Sequence, residues 1–503
     1  MTAVLLSATA QAQPAIEWQS TYGGSGDETV RDAVQTPDGG YLLVGHTTSS
    51  GGQVTGYQGN EDLWIVKTDV NGVLSWQRAL GSGASESGYA VANTADGGWI
   101  IAATATDNGG DIASIIGDGD IWLVKLDANG TVAWENTYGG TSFDEPRAVV
   151  EVDGGYAVAG YTESDDAQVT GYAGSGDLWV FKVDGTGALL WQRTIGGTDI
   201  DEAHGMRRTS DNGVIIAGST QSSNGDLVQN FGNTDAWLVK LDAAGAIQWN
   251  QVYGHTGDEY AMDVVQRTDG GYAFVASTNS QGGQVSQSFG NYDFWLVRTD
   301  ANGVLEGQSS FGGSGDDMAQ ALQQTMDGGY VLAGTSVSDN GTVTNPLGGY
   351  DFWVVRTGVA GLLQWQRNLG GSDDDMAHAV VQTTDGGYLL AGLTNSNDQD
   401  VTNARGGIDF WAVKLQGDNV SVIGLNNTIG TRAFPVPATD RLSIEWAGHV
   451  ITNWRLLSAT GALMAEGRWQ NTPIDVAAMQ PGLLILELFD AQGERGLVRV
   501  MKE

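Results

Sequence analysis

The chain has 503 residues, of which 75 are glycine and none is cysteine, and its formal net charge at pH 7 is −37. Disulfide bonds, thiolate metal sites and cysteine nucleophiles are therefore excluded. So acidic a chain repels phosphate backbones and anionic lipid, which argues against nucleic-acid and membrane-surface partners. A chain of this length can bury more than one hydrophobic core, so we expect two or more domains.

The first twelve residues are typical of an export signal. A short apolar run, AVLLSATA, leads to AQA at residues 10–12, which places small side chains where a signal peptidase cleaves. No Lys or Arg precedes the run, so a signal clipped at its start and an ordinary apolar N-terminus are the alternatives. No other stretch approaches the ~20 consecutive apolar residues that span a bilayer. We therefore predict a signal peptide over residues 1–12 and an exported chain without a transmembrane span.

An Asp-x-Trp motif recurs through most of the remaining chain. Its aspartates are Asp62, Asp120, Asp177, Asp235, Asp293, Asp351 and Asp409, at intervals of 57 or 58 residues. Each unit reads as four strands, RDAVQT, YLLVGHT, LWIVKTD and VLSWQRAL in the first, and Gly-rich turns join several of them. Seven such units predict an all-β fold, a seven-bladed β-propeller with blades of 58 residues over residues 15–423. An open solenoid is the alternative.

A displaced strand at the N-terminus indicates how the ring closes. The fourth strand of most units carries a second Trp, as at Trp76. One period earlier lies Trp18, in a strand that belongs to no unit, whereas the seventh unit has Ile423 in that position. Pairing the N-terminal strand with the last blade would close the ring and hide both edges. Tryptophans at fixed sheet positions are what packing between blades requires, so they imply no cofactor.

The period ends after Ile423. Residues 424–433 read as a linker, and residues 434–503 read as a small all-β domain. The phrases FPVPATDRLSIEW, LLSATGALMAEG and IDVAAMQPGLLILELFDAQGERGLVRVMK resemble the C-terminal sorting domain of the bacterial type IX secretion system. The positions that carry the resemblance are Pro435, Pro437, Asp440, Gly461, Asp475, Gly482, Gly493, Arg499 and Lys502. Two features depart from that family: GLLILEL replaces its Gly-x-Tyr strand start, and the chain ends on Glu503 instead of a basic residue.

The resemblance implies a route out of the cell. Members of that family enter the periplasm by a signal peptide and then cross the outer membrane, where many lose the domain or become attached to lipopolysaccharide. For this chain it implies an immunoglobulin-like β-sandwich, the type IX machinery as partner, and a secreted or outer-membrane surface location. An accessory immunoglobulin-like module unrelated to sorting is the alternative. The phrases QTTDGGYLLAG and DFWAVKL are similar to repeats of uncharacterised surface β-propeller proteins of Bacteroidetes-type bacteria, which implies no activity.

One acidic residue recurs just after the Gly-rich phrase that joins the units. The seven acids are Glu28, Glu86, Asp144, Asp201, Glu259, Asp317 and Asp375. On a closed ring they would surround the mouth of the central channel and could hold Ca²⁺ or another hard cation. Their repetition in every unit favours the alternative, in which each carboxylate accepts hydrogen bonds from its own loop. Asp62 and its six equivalents receive the same structural interpretation, and no cofactor is required.

The long loops between the second and third strands differ from unit to unit and carry aromatic residues. These are Tyr57, Tyr172, Phe231, Phe289, Tyr292 and Tyr350. They could stack on a glycan, or they could simply plug the loops. The sequence has neither a His-Glu-x-x-His nor a Gly-Lys-Ser/Thr phosphate loop, and its histidines are scattered, although His204 and His378 share a repeat position.

These observations favour an exported, non-enzymatic β-propeller binding protein, secreted or on the cell surface. Its long-loop face is expected to contact a glycan or a surface protein. Two alternatives stay open: a glycan-active hydrolase that uses paired acidic residues on the propeller face, and a purely structural surface protein. The hydrolase would need two carboxyl groups with displaced pKa values in one cleft.

Overall fold

The computed structural model describes residues 13–227 and 229–418 and, beyond them, 431–434, 441–446, 449–458, 463–470, 472–477, 479, 482–490 and 495–502. The regular elements among these residues are β-strands. The chain divides into two compact units, Met1–Asp418 and Asn419–Glu503. The predicted signal peptide lies outside the described residues. In the described part of the chain, no helix has the length and apolar character needed to cross a membrane.

The first unit contains 28 strands joined by Gly-rich turns and longer loops. The strands are β1 (Ile16–Tyr22), β2 (Glu28–Gln35), β3 (Tyr41–Thr47), β4 (Asp62–Thr68), β5 (Leu74–Leu80), β6 (Glu86–Asn93), β7 (Trp99–Ala105), β8 (Asp120–Leu126), β9 (Val132–Tyr138), β10 (Asp144–Val152), β11 (Gly155–Thr162), β12 (Asp177–Asp184), β13 (Leu189–Ile195), β14 (Asp201–Arg208), β15 (Val214–Thr220), β16 (Asp235–Leu241), β17 (Ile247–Tyr253), β18 (Glu259–Gln266), β19 (Tyr272–Thr278), β20 (Asp293–Thr299), β21 (Leu305–Phe311), β22 (Asp317–Gln324), β23 (Tyr330–Ser336), β24 (Asp351–Thr357), β25 (Leu363–Leu369), β26 (Asp375–Gln382), β27 (Tyr388–Thr394) and β28 (Asp409–Leu415). Strands buried on both faces, such as β4, are nearly continuous apolar runs, whereas β5 is only partly buried and more polar.

These strands form seven four-stranded antiparallel sheets, each of which is one blade. Six blades are built from consecutive strands, β2–β5, β6–β9, β10–β13, β14–β17, β18–β21 and β22–β25, and the seventh has the order β26-β27-β28-β1. We call the first strand of each blade its inner strand; these are β2, β6, β10, β14, β18, β22 and β26. Each inner strand packs against the next, and β26 packs against β2, so the ring is closed. The first unit is therefore a β-propeller.

The seventh blade takes its outer strand from the N-terminus. Strand β1 pairs antiparallel with β28, with Trp18 opposite Lys414 and Thr21 opposite Trp411. The predicted closure is confirmed. Strand β1 covers the edge of β28 and gives the seventh blade the same four strands as the other six.

The core lies between adjacent blades. The Asp-x-Trp tryptophans are almost completely buried, and Trp64 packs on Phe410 of the preceding blade with ring centroids 4.6 Å apart. The outer-strand tryptophans make a second contact between blades, as where Trp18 lies 5.6 Å from the ring of Tyr41. The aromatic repeat therefore packs blade against blade, as predicted.

In five of the seven blades, the turn after the inner strand is tied to a buried cation on the third strand. In the second blade, Lys125 Nζ lies 2.9 Å from a carboxylate oxygen of Asp96 and also donates to the Leu126 carbonyl. Partial burial acts to raise the pKa of Asp96, but hydrogen bonds from Thr94 and Lys125 prevail and lower it to about 2. The aspartate of the DGG turn therefore has a structural role, because it fixes the turn to a lysine of the same blade.

The second unit consists of two antiparallel sheets. Its strands are β29 (Thr431–Phe434), β30 (Arg441–Trp446), β31 (Ile451–Ser458), β32 (Leu463–Arg468), β33 (Ile474–Asp475), β34 (Gly482–Asp490) and β35 (Arg495–Lys502), in the orders β29-β30-β33 and β32-β31-β34-β35. Leu442, Ile474, Leu486 and Val500 belong to its buried core. Residues 431–433 of the predicted linker belong to strand β29, which pairs with β30, so this end of the linker is part of the second unit.

The positions of the sorting-domain resemblance fall on several parts of this unit. Asp475 ends β33, Gly482 begins β34, and Arg499 and Lys502 lie in β35. The remaining members of the set, Pro435, Pro437, Asp440, Gly461 and Gly493, lie outside the described residues.

Candidate functional site

Every inner strand of the propeller contains a β-bulge. In β2, Val30 lies opposite Gly45 and Asp32 lies opposite Val44, which leaves Arg31 without a partner in the ladder. The same irregularity occurs in the other six inner strands. A bulge leaves its extra residue unpaired and re-aims that side chain. We call the seven unpaired residues the bulge residues: Arg31, Tyr89, Arg147, His204, Met262, Gln320 and His378.

The bulge residues meet in a single cavity. All seven line a space of about 500 Å³ bounded by the seven inner strands, which we call the axial channel. Small residues flank most bulges, such as Gly88 and Ala90 beside Tyr89, so the inner strands leave room for these longer side chains. Sevenfold architecture therefore produces a cavity whose lining is not sevenfold: it includes arginine, tyrosine, histidine, methionine and glutamine.

Three consecutive blades contribute a cluster of two arginines around a tyrosine. The guanidinium carbons of Arg31 and Arg147 lie 6.0 Å and 5.5 Å from the ring centroid of Tyr89. Arg147 Nη2 lies 2.6 Å from Glu145 Oε1, and the Tyr89 hydroxyl donates to Glu145 Oε2 at 3.1 Å. Burial and the charge of Glu145 raise the pKa of Tyr89 to about 12, so its hydroxyl stays protonated.

This cluster keeps unused donors. Within the described residues, Arg31 makes no ion pair or hydrogen bond, and its side chain is exposed to the channel solvent. Arg147 Nε is buried and has no acceptor among those residues. A guanidinium in this state is suited to a carboxylate or phosphate group, which it binds through paired N–H donors.

Two histidines lie in the same ring of bulge residues. Burial and the charge of Arg147 lower the pKa of His204 to about 3, and burial and the charge of Arg31 lower that of His378 to about 4. His378 Nδ1 donates to the Val30 carbonyl at 2.8 Å, which places its proton on that nitrogen. Both imidazoles are therefore neutral at pH 7, with one donor and one acceptor nitrogen each, and the donor of His378 is used by the Val30 carbonyl.

Two carboxylates also line the channel, and both tie neighbouring strands together. Asp32 accepts from the Val91 amide at 2.9 Å, and Asp263 accepts from the Leu322 amide at 3.0 Å. Asp263 also pairs with Arg207 at 2.8 Å. Burial raises the pKa of Asp32 to about 6 despite these hydrogen bonds. Their oxygens are occupied by backbone amides of the adjacent blade, a positioning role.

The seven acids that the sequence predicted around the channel mouth are placed differently. Glu28 and its equivalents, which we call the inner acids, begin the inner strands, have no exposed surface and do not line the channel. Asp375 is representative: it accepts from the Gly371 amide at 2.7 Å, from the Ser396 hydroxyl at 2.9 Å and from the Thr394 hydroxyl. These bonds brace the loop. Among the described residues, no three acidic or histidine side chains are placed to hold a metal ion.

The Asp-x-Trp aspartates, which we call the junction aspartates, also hold loops. Asp62 Oδ2 accepts from the Gln58 amide at 2.7 Å, and Asp351 Oδ2 accepts from the Leu347 amide at 2.8 Å. The other five make the same contact with the amide four residues earlier. This geometry agrees with the structural interpretation of the motif.

The six loop aromatics that the sequence proposed as ligand contacts are spread over five blades, and only Phe289 and Tyr292 share a loop. Tyr57 donates to the Asn60 carbonyl at 2.9 Å, and the ring of Tyr292 packs at a tilt against Tyr260, with centroids 6.3 Å apart. Phe231 is 38% exposed, and the remaining members of the set, Tyr172, Phe289 and Tyr350, are half-buried. Within the described residues no two of the six rings stack on one another. The structure therefore gathers the bulge residues, and it does not gather these aromatics.

The bulge residues are the set that sequence reasoning missed. They stand three residues after each inner acid, a repeat position in which His204 and His378 were noticed but the other five were not. The available signal was variability: the position changes chemistry from unit to unit while the inner acid three residues earlier stays acidic. In a repeat protein such a position is free of the common packing requirement.

Comparisons with known proteins address the fold. No family model matches the chain. Regulatory protein FlaEY of Caulobacter vibrioides is 23% identical over 539 aligned residues that cover 94% of this chain and 54% of that protein, so this chain spans about half the length of its relative.

Similar solved structures include YCF48 bound to D1 peptide, at a TM-score of 0.42 and 11% identity, with 82% of this chain and 100% of that chain covered. A putative 6-phosphogluconolactonase of Bacteroides uniformis has a TM-score of 0.42 and 11% identity, covering 74% of this chain and 99% of its own. The Neurospora crassa Pan2 WD40 domain has a TM-score of 0.33 and 10% identity, covering 65% and 88%. None of them carries an activity over to this chain. The protein is a β-propeller followed by a second all-β unit, with one asymmetric cavity on the propeller axis.

Proposed function

We propose that this chain is an exported, non-enzymatic binding protein that holds an anionic group of its ligand in the axial channel. One observation carries the proposal: seven bulges at equivalent positions deliver chemically different side chains to one cavity. The inner acids, junction aspartates and buried tryptophans repeat because they do the same structural work in every blade. The bulge residues differ because the channel must match a ligand that lacks sevenfold symmetry.

The ligand class follows from the cluster of Arg31, Tyr89 and Arg147. Both guanidinium carbons lie within 6.0 Å of the Tyr89 ring centroid, and Arg31 is exposed in the lining of the channel. The whole chain carries a charge of −37, so a local pair of arginines is the part of the lining that attracts an anion. A carboxylate or phosphate oxygen pair fits the guanidinium fork, and Tyr89 supplies a flat surface beside it.

Delivery to the cell surface or medium is the second part of the proposal. The predicted signal peptide and the resemblance of residues 434–503 to the type IX sorting domain support it. The two antiparallel sheets of the second unit are compatible with the immunoglobulin-like sandwich of that family. On this view the second unit addresses the protein to the secretion machinery, and the propeller carries the binding activity.

The alternatives are less well supported. A hydrolase needs two carboxyl groups free to reach the substrate, whereas Asp32 and Asp263 in the channel accept hydrogen bonds from backbone amides. A purely structural protein has no need of a lining that changes in every blade. Binding without catalysis is therefore the activity that the channel supports best.

The binding proposal is tested by calorimetric titration of the full-length chain with phosphate, citrate and triglutamate, and with maltotriose as the neutral probe. We expect one or more anions to bind and the double variant Arg31→Gln/Arg147→Gln to weaken them about tenfold or more, as for lost charge-assisted hydrogen bonds. Phe231→Ala, on a long loop, is the matched control and should leave the affinity unchanged. Binding of maltotriose alone, or an effect of Phe231→Ala alone, would place the site on the loops instead.

The export proposal has its own test in a bacterium that possesses type IX secretion. Removal of residues 434–503 should leave the propeller in the periplasm, whereas the full chain should reach the surface or medium. Equal export of both forms would assign the second unit another role.

A further inference from the structure

Each junction between adjacent blades contains two carboxyl groups side by side. At the junction of the sixth and seventh blades, the amide of Asp375 donates to the Tyr350 carbonyl at 2.6 Å, so this inner acid is held beside the junction aspartate Asp351. Both side chains press on Gly370: a Cβ added there would lie 2.5 Å from Asp375 Oδ2 and 2.9 Å from Asp351 Oδ1. The two oxygens cannot be farther apart than these distances together.

One oxygen of this pair has no partner. Asp351 Oδ2 accepts from the Leu347 amide, and both oxygens of Asp375 accept from an amide or from hydroxyls. Asp351 Oδ1 is buried and has no hydrogen-bond donor among the described residues. A buried acceptor without a donor lowers the free energy of unfolding, and repulsion from a second carboxylate beside it lowers that free energy further.

The same defect occurs at all seven junctions. The unpartnered oxygens are Oδ1 of Asp62, Asp120, Asp177, Asp235, Asp293, Asp351 and Asp409. Their neighbours, in the same order, are the inner acids Glu86, Asp144, Asp201, Glu259, Asp317, Asp375 and Glu28. An unpartnered carboxylate oxygen beside a glycine and a second carboxyl group therefore recurs at every junction. The repetition indicates that each of these oxygens has a hydrogen-bond partner of the same kind.

The charged groups around these pairs are mostly acidic. Asp400 faces Asp351 from the next loop and is itself faced by Arg367. Elsewhere Asp111 faces Asp62, and Asp226 faces Asp177. The inner acids Asp317 and Asp375 are faced by Asp316 and Asp373, each on the same loop. The cation that acts on a junction aspartate is Arg405, next to Asp409. Amino-acid side chains therefore leave the second negative charge of the pairs largely uncompensated.

We propose that each junction binds one proton, carried on the orphan Oδ1 of the junction aspartate and donated to the inner acid beside it. The hydrogen bond that forms gives Oδ1 its partner and removes one of the two charges. Each junction is then one carboxylic acid and one carboxylate, and the ring holds seven such pairs. Two carboxyl groups in one site share a proton in this way because both cannot ionise at little cost.

The surroundings of the pairs support this assignment. Burial and the charge of Asp375 raise the pKa of Asp351 to about 7, against the hydrogen bond from Leu347. Burial is also the main cause that raises the pKa of Asp177, Asp235, Asp293 and Asp409 to about 6. A hard cation such as Ca²⁺ would need roughly six to eight oxygen ligands, whereas a proton needs only two. At one junction the side chains of Asp235 and Glu259 are within hydrogen-bonding reach of each other.

The proposal fixes the sign of the pH dependence. In the unfolded chain an aspartate titrates at about pH 4, so the folded propeller holds more protons than the unfolded chain between that value and the raised pKa. The stability contributed by the shared protons is complete below this window. It is lost as the pH rises through the folded pKa values, when each junction acquires two charges.

The test compares Asp351→Asn with wild type in the full-length chain. The Asn amide can donate to Asp375 at any pH, as the protonated acid would. We expect the number of protons released on unfolding near pH 5.5 to fall by about one, from the pH slope of stability, and the variant to gain melting temperature relative to wild type at pH 8. The infrared band of protonated carboxyl groups in the folded protein should lose one pair's share.

The matched control is Asp339→Asn, which removes an exposed carboxylate from the same blade and should change neither the slope nor the band. Asp293→Asn repeats the test at the neighbouring junction if Asp351→Asn fails to fold. Equal destabilisation by Asp351→Asn at pH 5.5 and pH 8 would overturn the proposal. So would a fall in the wild-type melting temperature with chelator that Asp351→Asn abolishes, because the pair would then hold a metal ion.

Discussion

The blade junctions and the axial channel are built from the same repeat, but the residues at the junctions are alike in every unit, whereas those in the channel vary. At the junctions, every unit supplies a buried aspartate, an inner acid and a tryptophan in the same geometry. In the channel, every unit supplies a bulge at the same place, but the side chain on it differs between neighbouring units, and the seven positions carry five residue types. Positions that hold blade against blade carry similar residues in every unit. Positions where the residue varies are not needed for the stability of the ring, so a binding site can be built there without loss of the fold.

The two regions should respond differently to substitution. A junction residue is surrounded by atoms of two blades, so a change in volume or charge is felt by both. A bulge residue faces a water-accessible cavity and can be shortened at little cost to stability.

Trp353→Ala should cost about 3–5 kcal/mol of unfolding free energy, as for other buried aromatic truncations. Trp353 is fully buried, donates to Gln366 at 2.7 Å and packs against Phe294 of the preceding blade, with ring centroids 4.6 Å apart. Chemical denaturation measures the loss. Gln320→Ala in the channel is the control, and a comparable cost there would contradict the division between the two regions.

Gly370→Ala should cost about 1–3 kcal/mol, because the added methyl group would press on both carboxyl groups of a junction. Gly51→Ala is the matched substitution, since nothing lies within 4 Å of the Cβ that it adds. Thermal unfolding of the two variants compares them directly. Equal melting temperatures would show that the junction accommodates extra volume and is looser than the geometry implies.

Asp96→Asn should cost about 1–2 kcal/mol at pH 7, because Lys125 is buried and loses its anionic partner. The pKa of Asp96 is held at about 2, so its contribution is present above pH ~4 and is lost as the pH falls through the folded value. The variant should therefore lose less stability than wild type between pH 4 and pH 2. The same loss in both would mean that Asp96 does not contribute to acid unfolding. This sign is opposite to that of the junction aspartates.

Arg31→Gln should change the unfolding free energy by less than about 0.5 kcal/mol, since the side chain is exposed and has no ion-pair partner among the described residues. Anion binding, by contrast, should fall. Denaturation and calorimetry on one preparation separate the two readouts. A stability loss as large as that of Gly370→Ala would show that Arg31 belongs to the architecture.

Much of the fold could be predicted from the sequence because its signals are local and repeated. The spacing of Asp-x-Trp, the two-residue turns and the alternation within strands report on pairings between neighbours in the chain. Even the closure by β1 was predictable, because Trp18 keeps the period of the outer strands. The site was harder, since the roles of Glu28 and Asp409 depend on each other across 381 positions of sequence.

The number of repeat units, the strand that closes the ring and the positions of the repeated acids and tryptophans can all be read from the sequence. The burial of the inner acids at the blade junctions and the placement of the bulge residues in the channel follow from the folded ring alone. The reason is physical: a bulge exists only when a strand is paired with its neighbour, and a side chain is buried only when the next blade covers it. Both conditions are met only when the ring of blades is closed.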